Sequence, residues 1–582
     1  MEGRDMTRET HRKWQENAIV SVAPFSEERV SPFKEERQYL TTGGLDENRV
    51  TQLESVSYEK RPTRADLVVR SGDVIVARMK NTLKVLQITP ELNGLIVSTG
   101  FAVFRPSPNI LSGYLYYFLR SKMFQAIKDK YAQGSTQKAI NNTDLRTITI
   151  LLPPLPIQEQ IIQILEKADE VRRKRQEALE LADAILSASF IGMFGDPGNN
   201  HDAYERIPLG KIADVRSGVT KGRKLGDRDT VEVPYLRVAN VQDGFLDLTE
   251  MKTIEVLPGD VDRFHLEDGD ILMTEGGDPD KLGRGTVWRN QIDGCIHQNH
   301  VFRVRTNREK LAPEYLAALL RTQYAKHYFL SCAKRSSNLA SVNSTQVKAF
   351  PVPLPNIRLQ DKFVSAVEQW VQASERLAGG LKDAGRLFAS LMEEAFSGSL
   401  TAEWEAANAG WIQEQTKLQE RLPRLLLLSF IRERLARAEK AAQRAVLVTA
   451  LMKYAFLLQM EGNGRRYYQF VPYHYGPFAK EIYDDLERLK ADGLVTVDND
   501  TDEDKTKITL ADPTKAEAAL SELPDDLKDD VAAILDTYGD LDHNALLKTV
   551  YEKYPAYAKK SRVHKKDKAA PKKGSPGRRA KK

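Results

Sequence analysis

Short apolar runs alternate with glycine turns in two stretches of the chain, one over about the first 150 residues and one between about residues 205 and 355. Runs such as LVVRSGDVIVAR and GTVWRNQIDGCIHQNHVFRVR are rich in β-branched residues, which favours strands joined by tight turns. Each stretch also holds one helical pattern, YLYYFLRSKMFQAIKDKY in the first and YLAALLRTQYAKHY in the second. The pattern predicts two compact, β-rich α+β domains.

A proline-rich boundary ends each β-rich stretch, PPLP in the first and PVPLP in the second. Proline disfavours helix in the residue before it and permits helix afterwards. We therefore predict two long helices, roughly Gln158–Met193 and Arg358–Ala395, each about 50–55 Å long at ~1.5 Å per residue. In the second helix, apolar positions from Phe363 through Trp370 recur in steps of four and three, the heptad pattern of a coiled coil. In the first helix the charged segment EVRRKRQEA interrupts the pattern.

The two stretches are copies of one unit. INNTDLRTITILLPPLPIQEQIIQIL aligns with VNSTQVKAFPVPLPNIRLQDKFVSAV, so that Asn141 meets Asn343 at a shift of 202 residues. Upstream, SGDVIVARMK parallels DGDILMTEGG, and VSTGFAVFRPSPNILSGYLYYFLRS parallels HQNHVFRVRTNREKLAPEYLAALLRT. Chance similarity does not explain several blocks in the same order. Two equal helices in one chain most simply pair antiparallel, which would place one β-rich domain at each end of a rod.

Size and composition narrow the class of protein. A chain of 582 residues should divide into three or four domains. No apolar run approaches the ~20 residues of a membrane span, and MEGRDMTRETHRKWQEN lacks the apolar core of a signal peptide. The only cysteines are Cys295 and Cys332, which leaves no disulfide framework and no cysteine-rich zinc site. We expect a cytoplasmic protein.

The net charge of +5 comes from the C-terminal tail. Residues 559–582 carry 12 Lys and Arg against Asp567, whereas the rest of the chain carries 74 basic and 80 acidic residues. Such a tail is compositionally disordered, and it is either a solubilising extension or a polyanion binder that reads no sequence. Specific DNA binding would therefore have to come from local basic loops in the body of the chain.

The doubled layout resembles the specificity subunits of type I restriction–modification systems. The resemblance rests on PPLPIQEQIIQILEKADEVRRKRQEALELADAILSASFIGMFGDP, on LMEEAFSGSLTAEW at the end of the second copy, and on PYLRVANVQDGF. It covers about residues 1–404. The first copy departs from the pattern at its start, because APFSEERVSPFKEERQYLTTGGL has no close counterpart of IPLGKIADVRSGVTKG.

The resemblance implies a fold, a function and partners. The implied fold is α+β, with two β-rich target-recognition domains separated by two long antiparallel coiled-coil helices. Such a subunit reads a bipartite, asymmetric site in double-stranded DNA and scaffolds two methyltransferase (M) subunits and restriction (R) subunits. It binds no cofactor itself, since S-adenosylmethionine, ATP and Mg belong to the partners. The predicted boundaries are residues 1–155 and 197–355 for the recognition domains, 156–196 and 356–404 for the helices, 405–558 for an appended domain, and 559–582 for the tail.

Candidate DNA-binding residues lie in polar loops rich in Arg, Lys, Asn and Gln. Phosphate contacts position a protein on DNA, and side chains that reach the groove edges choose the bases. Since the two domains should read different half-sites, we expect them to differ where they touch bases. The Asn141/Asn343 pair and the SGD and DGD turns therefore serve the fold. The candidates are Arg78, Lys80, Asn81, Lys84, Gln133, Ser135, Thr136, Gln137 and Lys138 in the first domain, and Lys221, Arg223, Lys224, Lys281, Arg284, His297, Gln298, Asn299, Lys334, Arg335, Ser336 and Asn338 in the second.

The sequence predicts no catalytic site. HQNH has no metal-ligand spacing, and EGGDPDKLGRG lacks the G-x-x-x-x-G-K-[ST] form of a phosphate loop. No D/N-P-P-Y motif of an adenine methyltransferase occurs. We therefore expect a non-catalytic subunit, with the chemistry in its partners.

Residues 405–558 are predicted to form an appended, mainly helical domain. Helices, then a further helix after YGPF, then the acidic hairpin VTVDNDTDEDKTKITLAD are similar to a winged-helix module. The candidate reading helix KEIYDDLERLK is acid-balanced, so protein docking and DNA binding remain equal alternatives.

One functional alternative is a two-headed transcription regulator that has no enzyme partners. The long helices distinguish this regulator from a specificity subunit, because only a specificity subunit needs exposed apolar or charged surface on them to bind other chains. The residues predicted to dock partners are Arg172, Arg173, Arg175 and Trp370.

Overall fold

The computed structural model describes residues 14–134, 138–199, 204–223, 226, 228–277, 282–335, 340–438, 445–462, 465–498 and 506–558. The chain divides into two compact units, one of residues Met1–Glu170 with Arg386–Lys582 and one of residues Val171–Gly385. The predicted basic tail lies outside the described residues. No helix in the described ranges is long and apolar enough to cross a membrane.

The first β-rich region spans residues 15–152 and belongs to the first unit. Its sheets have the strand orders β5-β2-β9-β6 and β10-β7-β8, and β1 pairs antiparallel with β11. The strands are β1 (Gln15–Ala18), β2 (Arg37–Leu40), β3 (Leu45–Asp46), β4 (Arg49–Val50), β5 (Glu54–Val56), β6 (Ala65–Val68), β7 (Val74–Ala77), β8 (Val85–Gln87), β9 (Ile96–Ser98), β10 (Phe101–Phe104) and β11 (Thr149–Leu152). The helices are α1 (Ile19–Val22), α2 (Ser112–Arg120), α3 (Lys122–Tyr131) and α4 (Asn142–Leu145).

The second β-rich region spans residues 206–353 and belongs to the second unit. Helix α5 (Leu155–Phe194) precedes it. The strands are β12 (Arg206–Pro208), β13 (Ala213–Ser217), β14 (Val231–Leu236), β15 (Lys252–Val256), β16 (Ile271–Thr274), β17 (Gly276–Gly277), β18 (Gly285–Val287), β19 (Ile296–His297), β20 (Val301–Thr306), β21 (Lys334–Arg335), β22 (Ala340–Ser341) and β23 (Pro351–Pro353). The helices are α6 (Pro258–Phe264), α7 (Pro313–Leu320), α8 (Gln323–Cys332) and α9 (Ser344–Lys348).

The two regions share one topology, which confirms the internal repeat. Strand order β10-β7-β8 in the first corresponds to β20-β16-β18 in the second, and the parallel pair β2–β9 corresponds to β14–β19. The first strand of each region pairs antiparallel with its last, β1 with β11 and β12 with β23. Asn141 and Asn343 each cap a short helix with the side-chain oxygen, as expected for residues that serve the fold.

The start of the first region differs from the second, as the sequence indicated. In the second region IPLGKIADVRSGVTKG forms β12 and β13, and β13 pairs with β20 over five residues. In the first region only an isolated bridge between Phe25 and Phe104 occupies the corresponding place.

The predicted long helices are present. Helix α5 begins three residues before the predicted start, and α10 spans Ile357–Ser397. Within the first unit, Ile161 and Leu165 of α5 share an apolar cluster with Met392 of α10. Within the second unit, Phe190 of α5 packs on Phe363 of α10, with ring centroids 5.5 Å apart. The two helices therefore contact each other in each unit, while their antiparallel coiled coil stays a prediction.

The C-terminal region, residues 402–558, belongs to the first unit and has an apolar core of its own. A hairpin of the strands Val495–Asp498 and Lys507–Leu510 follows the helix Glu481–Ala491, in the order that the sequence predicted, although the segment 499–505 between its strands lies outside the described part. The winged-helix likeness stays a prediction. The elements are α11 (Ala402–Ala407), α12 (Ala409–Ala438), β24 (Val446–Leu447), α13 (Val448–Glu461), β25 (Val471–Tyr473), β26 (Gly476–Phe478), α14 (Glu481–Ala491), β27 (Val495–Asp498), β28 (Lys507–Leu510), α15 (Pro513–Leu520), α16 (Asp525–Tyr538) and α17 (His543–Lys553).

Candidate nucleic-acid interface

In the first region, two predicted polar loops come together where β7 ends and β10 begins. The Arg78 backbone N–H donates to the Gly100 carbonyl at 3.0 Å, and the Lys80 N–H donates to the Lys138 carbonyl at 2.9 Å. The side chains of Lys80 and Lys138 are exposed. We call this surface, residues 78–84, 98–100, 133–134 and 138–139, the first loop cluster. It offers two exposed ammonium groups in adjacent loops, which suits phosphate binding.

The other candidates of the first region have different roles. The Arg78 guanidinium donates to the Phe101 carbonyl at 3.1 Å, and burial lowers its pKa. The Lys84 ammonium donates to the Thr42 carbonyl at 2.8 Å. These two cations join neighbouring loops, and because both side chains are only half-buried, their role as DNA ligands stays a prediction. Asn81 and Gln133 are exposed, whereas Ser135, Thr136 and Gln137 lie outside the described residues.

In the second region, the corresponding surface consists of five segments. The Glu275 N–H donates to the His300 carbonyl at 3.0 Å, and the Val342 N–H donates to the Glu275 carbonyl at 2.9 Å. The Asn299 N–H donates to the Val219 carbonyl at 2.9 Å. We call this surface the second loop cluster; it consists of residues 219–223, 275–277, 298–300, 334–335 and 340–342.

The predicted residues of the second region are again partly exposed and partly engaged with neighbouring side chains. Lys221 and Lys334 are exposed, and Gln298 and Asn299 are half-buried. Arg223 is exposed but pairs with Asp260 at 2.9 Å. Arg284 donates to the Gln242 side chain at 2.8 Å, and Arg335 belongs to β21. Lys224, Lys281, Ser336 and Asn338 lie outside the described part of the chain.

His297 is wrong as a DNA ligand, because it is completely buried. Its Nδ1–H donates to the Val301 carbonyl at 2.7 Å. Burial lowers its pKa to about 4, so the imidazole is neutral at physiological pH. Its neighbours Cys295 and Ile296 are buried as well, so the whole segment lies inside the region, where no base can reach it.

Sequence reasoning missed His300 and Glu275. The His300 Nδ1 lies 2.5 Å from the Glu275 carboxylate, and the His300 side chain is 56% exposed. The alignment of SGDVIVARMK with DGDILMTEGG already set Glu275 opposite Arg78. The two loop clusters thus carry charges of opposite sign at equivalent positions.

The four predicted docking residues on the long helices are mostly engaged within the second unit. The Trp370 indole N–H donates to the Ala182 carbonyl at 2.8 Å, and the half-buried ring packs on the apolar core; its docking role stays a prediction. The Arg175 guanidinium lies against Gly380, where a Cβ atom would stand 1.9 Å from its Nη1. Arg173 pairs with Glu177 at 3.0 Å on the exposed surface, and Arg172 is half-buried.

Helix α5 exposes a different surface that the sequence reasoning did not select. Leu181 and Ile185, one turn apart on the same side of the helix, are 62% and 56% exposed. Large apolar side chains that lie together on one helix face mark an interaction site more often than scattered ones do. We call these two residues the α5 apolar face.

Comparison with known proteins places this architecture. The family model of the type I restriction modification DNA specificity domain matches residues 12–181 and 202–382. The two matches coincide with the two copies of the repeat and together cover more than half of the chain. The chain belongs to this family.

Individual relatives are similar at moderate identity. The EcoKI specificity subunit of Escherichia coli K12 is 24% identical over 362 residues, which cover 59% of this chain and 76% of that protein. The StySPI specificity subunit of Salmonella potsdam is 23% identical over 324 residues, covering 52% and 69%.

Two solved structures are also similar. A chain from a study of complex assembly and conformational transition of the type I R-M system is 20% identical, with a TM-score of 0.43, and the match covers 66% of this chain and 98% of that one. The S subunit from M. genitalium is 15% identical, with a TM-score of 0.39 and coverages of 66% and 96%.

Proposed function

We propose that this chain is the DNA-specificity subunit of a type I restriction–modification complex. It reads a bipartite, asymmetric site in double-stranded DNA, one half with each loop cluster. The observation that carries the proposal is that the two loop clusters share one backbone arrangement but have different side chains at equivalent positions. Arg78 and Gly100 of the first loop cluster correspond to Glu275 and His300 of the second, and the same backbone hydrogen bond joins each pair. Two half-sites of different sequence require different side chains at the base edges, presented by the same backbone arrangement.

The loop clusters supply both kinds of DNA contact. Exposed Lys80, Lys138, Lys221 and Lys334 suit phosphate oxygens, which position the protein without choosing a sequence. His300 can donate or accept at a base edge, and Glu275 accepts from cytosine N4 or fixes the imidazole tautomer. The asymmetry of the site follows from the unlike clusters.

We further propose that the α5 apolar face holds a methyltransferase (M) subunit, and that restriction (R) subunits join the same complex. The exposed leucine and isoleucine offer apolar area that a partner would bury. The number of M subunits, expected to be two, belongs to the proposal. The chemistry, with S-adenosylmethionine, ATP and Mg, is assigned to those partners.

Selection of bound duplexes from a random pool tests the DNA-reading proposal. The purified complex should enrich two fixed half-sites separated by a constant gap of unspecified bases. A single continuous motif, or no enrichment over the starting pool, would contradict it.

A further inference from the structure

A buried ion cluster lies within the first unit. It consists of Glu28, Arg70, Asp73, Arg105 and Arg466, and we call it the Asp73 cluster. Asp73 is completely buried. Its carboxylate accepts from Arg105 Nε at 2.9 Å and Arg105 Nη2 at 2.8 Å, from the Arg70 N–H at 2.9 Å, and from Arg466 Nη2 at 3.0 Å. Since a carboxylate has about four acceptor positions, these four donors saturate it.

The fourth donor comes from the C-terminal region. Arg466 lies between α13 and β25, and it also donates to the Ser71 carbonyl at 3.3 Å. Burial lowers its pKa to about 10, so it stays a cation at physiological pH. Two further contacts accompany it. The Arg70 guanidinium lies 5.0 Å from the ring centroid of Tyr554, and the Asn93 amide donates to the Met460 carbonyl at 3.4 Å.

The second β-rich region holds the same turn without this fourth donor. Asp270, which corresponds to Asp73, accepts from Arg305 Nε and Nη2 and from the Glu267 N–H, each at 2.7 Å. No fourth hydrogen bond to Asp270 is present among the described residues. The position of Arg70 is taken by Glu267, whose carboxylate pairs with Arg305 instead of supplying a further cation. The C-terminal region is thus matched to the first copy of the repeat.

The Asp73 cluster and the first loop cluster lie at opposite ends of the same two strands. Asp73 directly precedes β7 and Arg105 directly follows β10, while Arg78 follows β7 and Gly100 precedes β10. Strands β7 and β10 pair antiparallel over four residues, a span of about 13 Å at ~3.3 Å per residue. What fixes one end of this short ladder therefore also fixes the other.

We propose that Arg466 is a positioning residue for DNA reading by the first loop cluster. By donating the fourth hydrogen bond to the Asp73 carboxylate, Arg466 docks the C-terminal region on the first β-rich region. It thereby holds β7 and β10 in the geometry that DNA reading needs. It acts on the first half-site and leaves the second unaffected. This inference rests on the proposed function.

Charge balance provides a variant that should fold. With Arg466 the Asp73 cluster has three arginines and two carboxylates, one positive charge in excess. Arg466→Met leaves two arginines and two carboxylates, so each buried carboxylate keeps a cationic partner. A buried charge without a partner is the usual reason that breaking an ion pair destabilises a protein strongly. The matched control is Arg432→Met, which removes the Arg432–Glu517 pair (2.8 Å) inside the C-terminal region.

The first readout is hydrogen exchange in the full-length chain. Arg466→Met should accelerate amide exchange in residues 74–84 at least tenfold and leave residues 271–277 unchanged, and Arg432→Met should change neither. Unchanged exchange in residues 74–84, or equal acceleration in both segments, would overturn the proposal.

The second readout is affinity for duplexes in which one half-site is replaced. The half read by the first region is the one that persists when residues 204–353 are exchanged for those of a relative. Arg466→Met should weaken binding to the intact duplex about tenfold, on the scale of one charge-assisted hydrogen bond, and have no effect once the first half is replaced. An equal loss with either half replaced would overturn the inference. A wild-type complex without sequence preference would refute the proposed function instead, and the exchange measurement would still test the docking role of Arg466.

Discussion

Gln158 and Gln360, at equivalent positions of the two repeats, make the same three hydrogen bonds. Gln158 accepts from the Leu111 N–H at 2.9 Å and donates to the Asn109 and Pro153 carbonyls at 3.0 and 2.8 Å. Gln360 accepts from the Ala312 N–H at 2.9 Å and donates to the Lys310 and Pro355 carbonyls at 3.0 and 2.8 Å. Both side chains are fully buried. Each glutamine joins the first turn of a long helix to the β-rich region that precedes it.

Replacing either glutamine should therefore destabilise the junction. Gln158→Leu or Gln360→Leu leaves one N–H and two carbonyls without their partner, one of the carbonyls fully buried, and the expected loss in free energy of unfolding is about 3 kcal/mol. Urea denaturation measures it. Gln176→Leu, which removes only an exposed contact with Glu180, should cost less than about 0.5 kcal/mol. Equal losses in the buried and exposed variants would show that the shared hydrogen bonds contribute nothing.

Exposed lysines of the first loop cluster should contribute to affinity but not to base choice. Lys80→Ala and Lys138→Ala should each lower the slope of log Kobs against log salt by about 1, with the enriched motif unchanged. Lys548→Ala, an exposed lysine of the C-terminal region paired with Glu552, is the control and should not alter the slope. A slope equal to that of the wild type in all three would remove these lysines from the interface.

His300 should determine base preference in the second half-site. His300→Ala removes the imidazole and leaves Glu275 without its partner, so selection from a random pool should give a relaxed preference at one or two positions of that half, worth about 1–3 kcal/mol per base pair. His297→Gln should leave the motif as it is, because His297 is buried. Relaxation by His297→Gln but not by His300→Ala would reverse the assignment.

His297 should also make the second region sensitive to acid. Its pKa is about 4 in the folded chain and about 6.5 when unfolded. The neutral form is the one that folding accommodates, so its stabilising contribution is complete above pH 6.5 and is lost as the pH falls from 6.5 towards 4. The loss amounts to about 3 kcal/mol. The glutamine of His297→Gln cannot titrate, so the free energy of unfolding of this variant should fall less between pH 6.5 and 4. If the free energies of the variant and the wild type fell in parallel over this range, His297 would not be the origin of the acid sensitivity.

The α5 apolar face should be required for assembly. Leu181→Glu with Ile185→Glu puts two charges where a partner would bury apolar surface, and co-purification with the methyltransferase subunit should be lost. The matched control is Val231→Glu, an exposed apolar residue of β14 in the same unit, which should co-purify normally. Retained co-purification of the double variant would place the docking surface elsewhere.

Local patterns predicted the frame of this protein well. The proline boundaries placed the starts of both long helices within three residues, because proline restricts backbone geometry without tertiary help. The repeat predicted the shared topology and the structural role of Asn141 and Asn343.

Roles set by tertiary neighbours were not predictable in the same way. Arg78 and Lys84 are long cations in polar loops, and only the fold shows that carbonyls of other loops, Phe101 and Thr42, engage them. His297 and His300 stand in the same motif, HQNH, and only the fold shows that the first is buried and the second exposed. Arg466 has no counterpart in the repeat, and its partner Asp73 lies 393 residues away in sequence. No local sequence pattern therefore predicts this ion pair.

Sequencing modified bases in host DNA, with and without this gene, tests the central claim most directly. The account predicts methylation at a split, asymmetric motif that disappears when the gene is deleted and returns when it is restored. Methylation that is identical with and without the gene would contradict it.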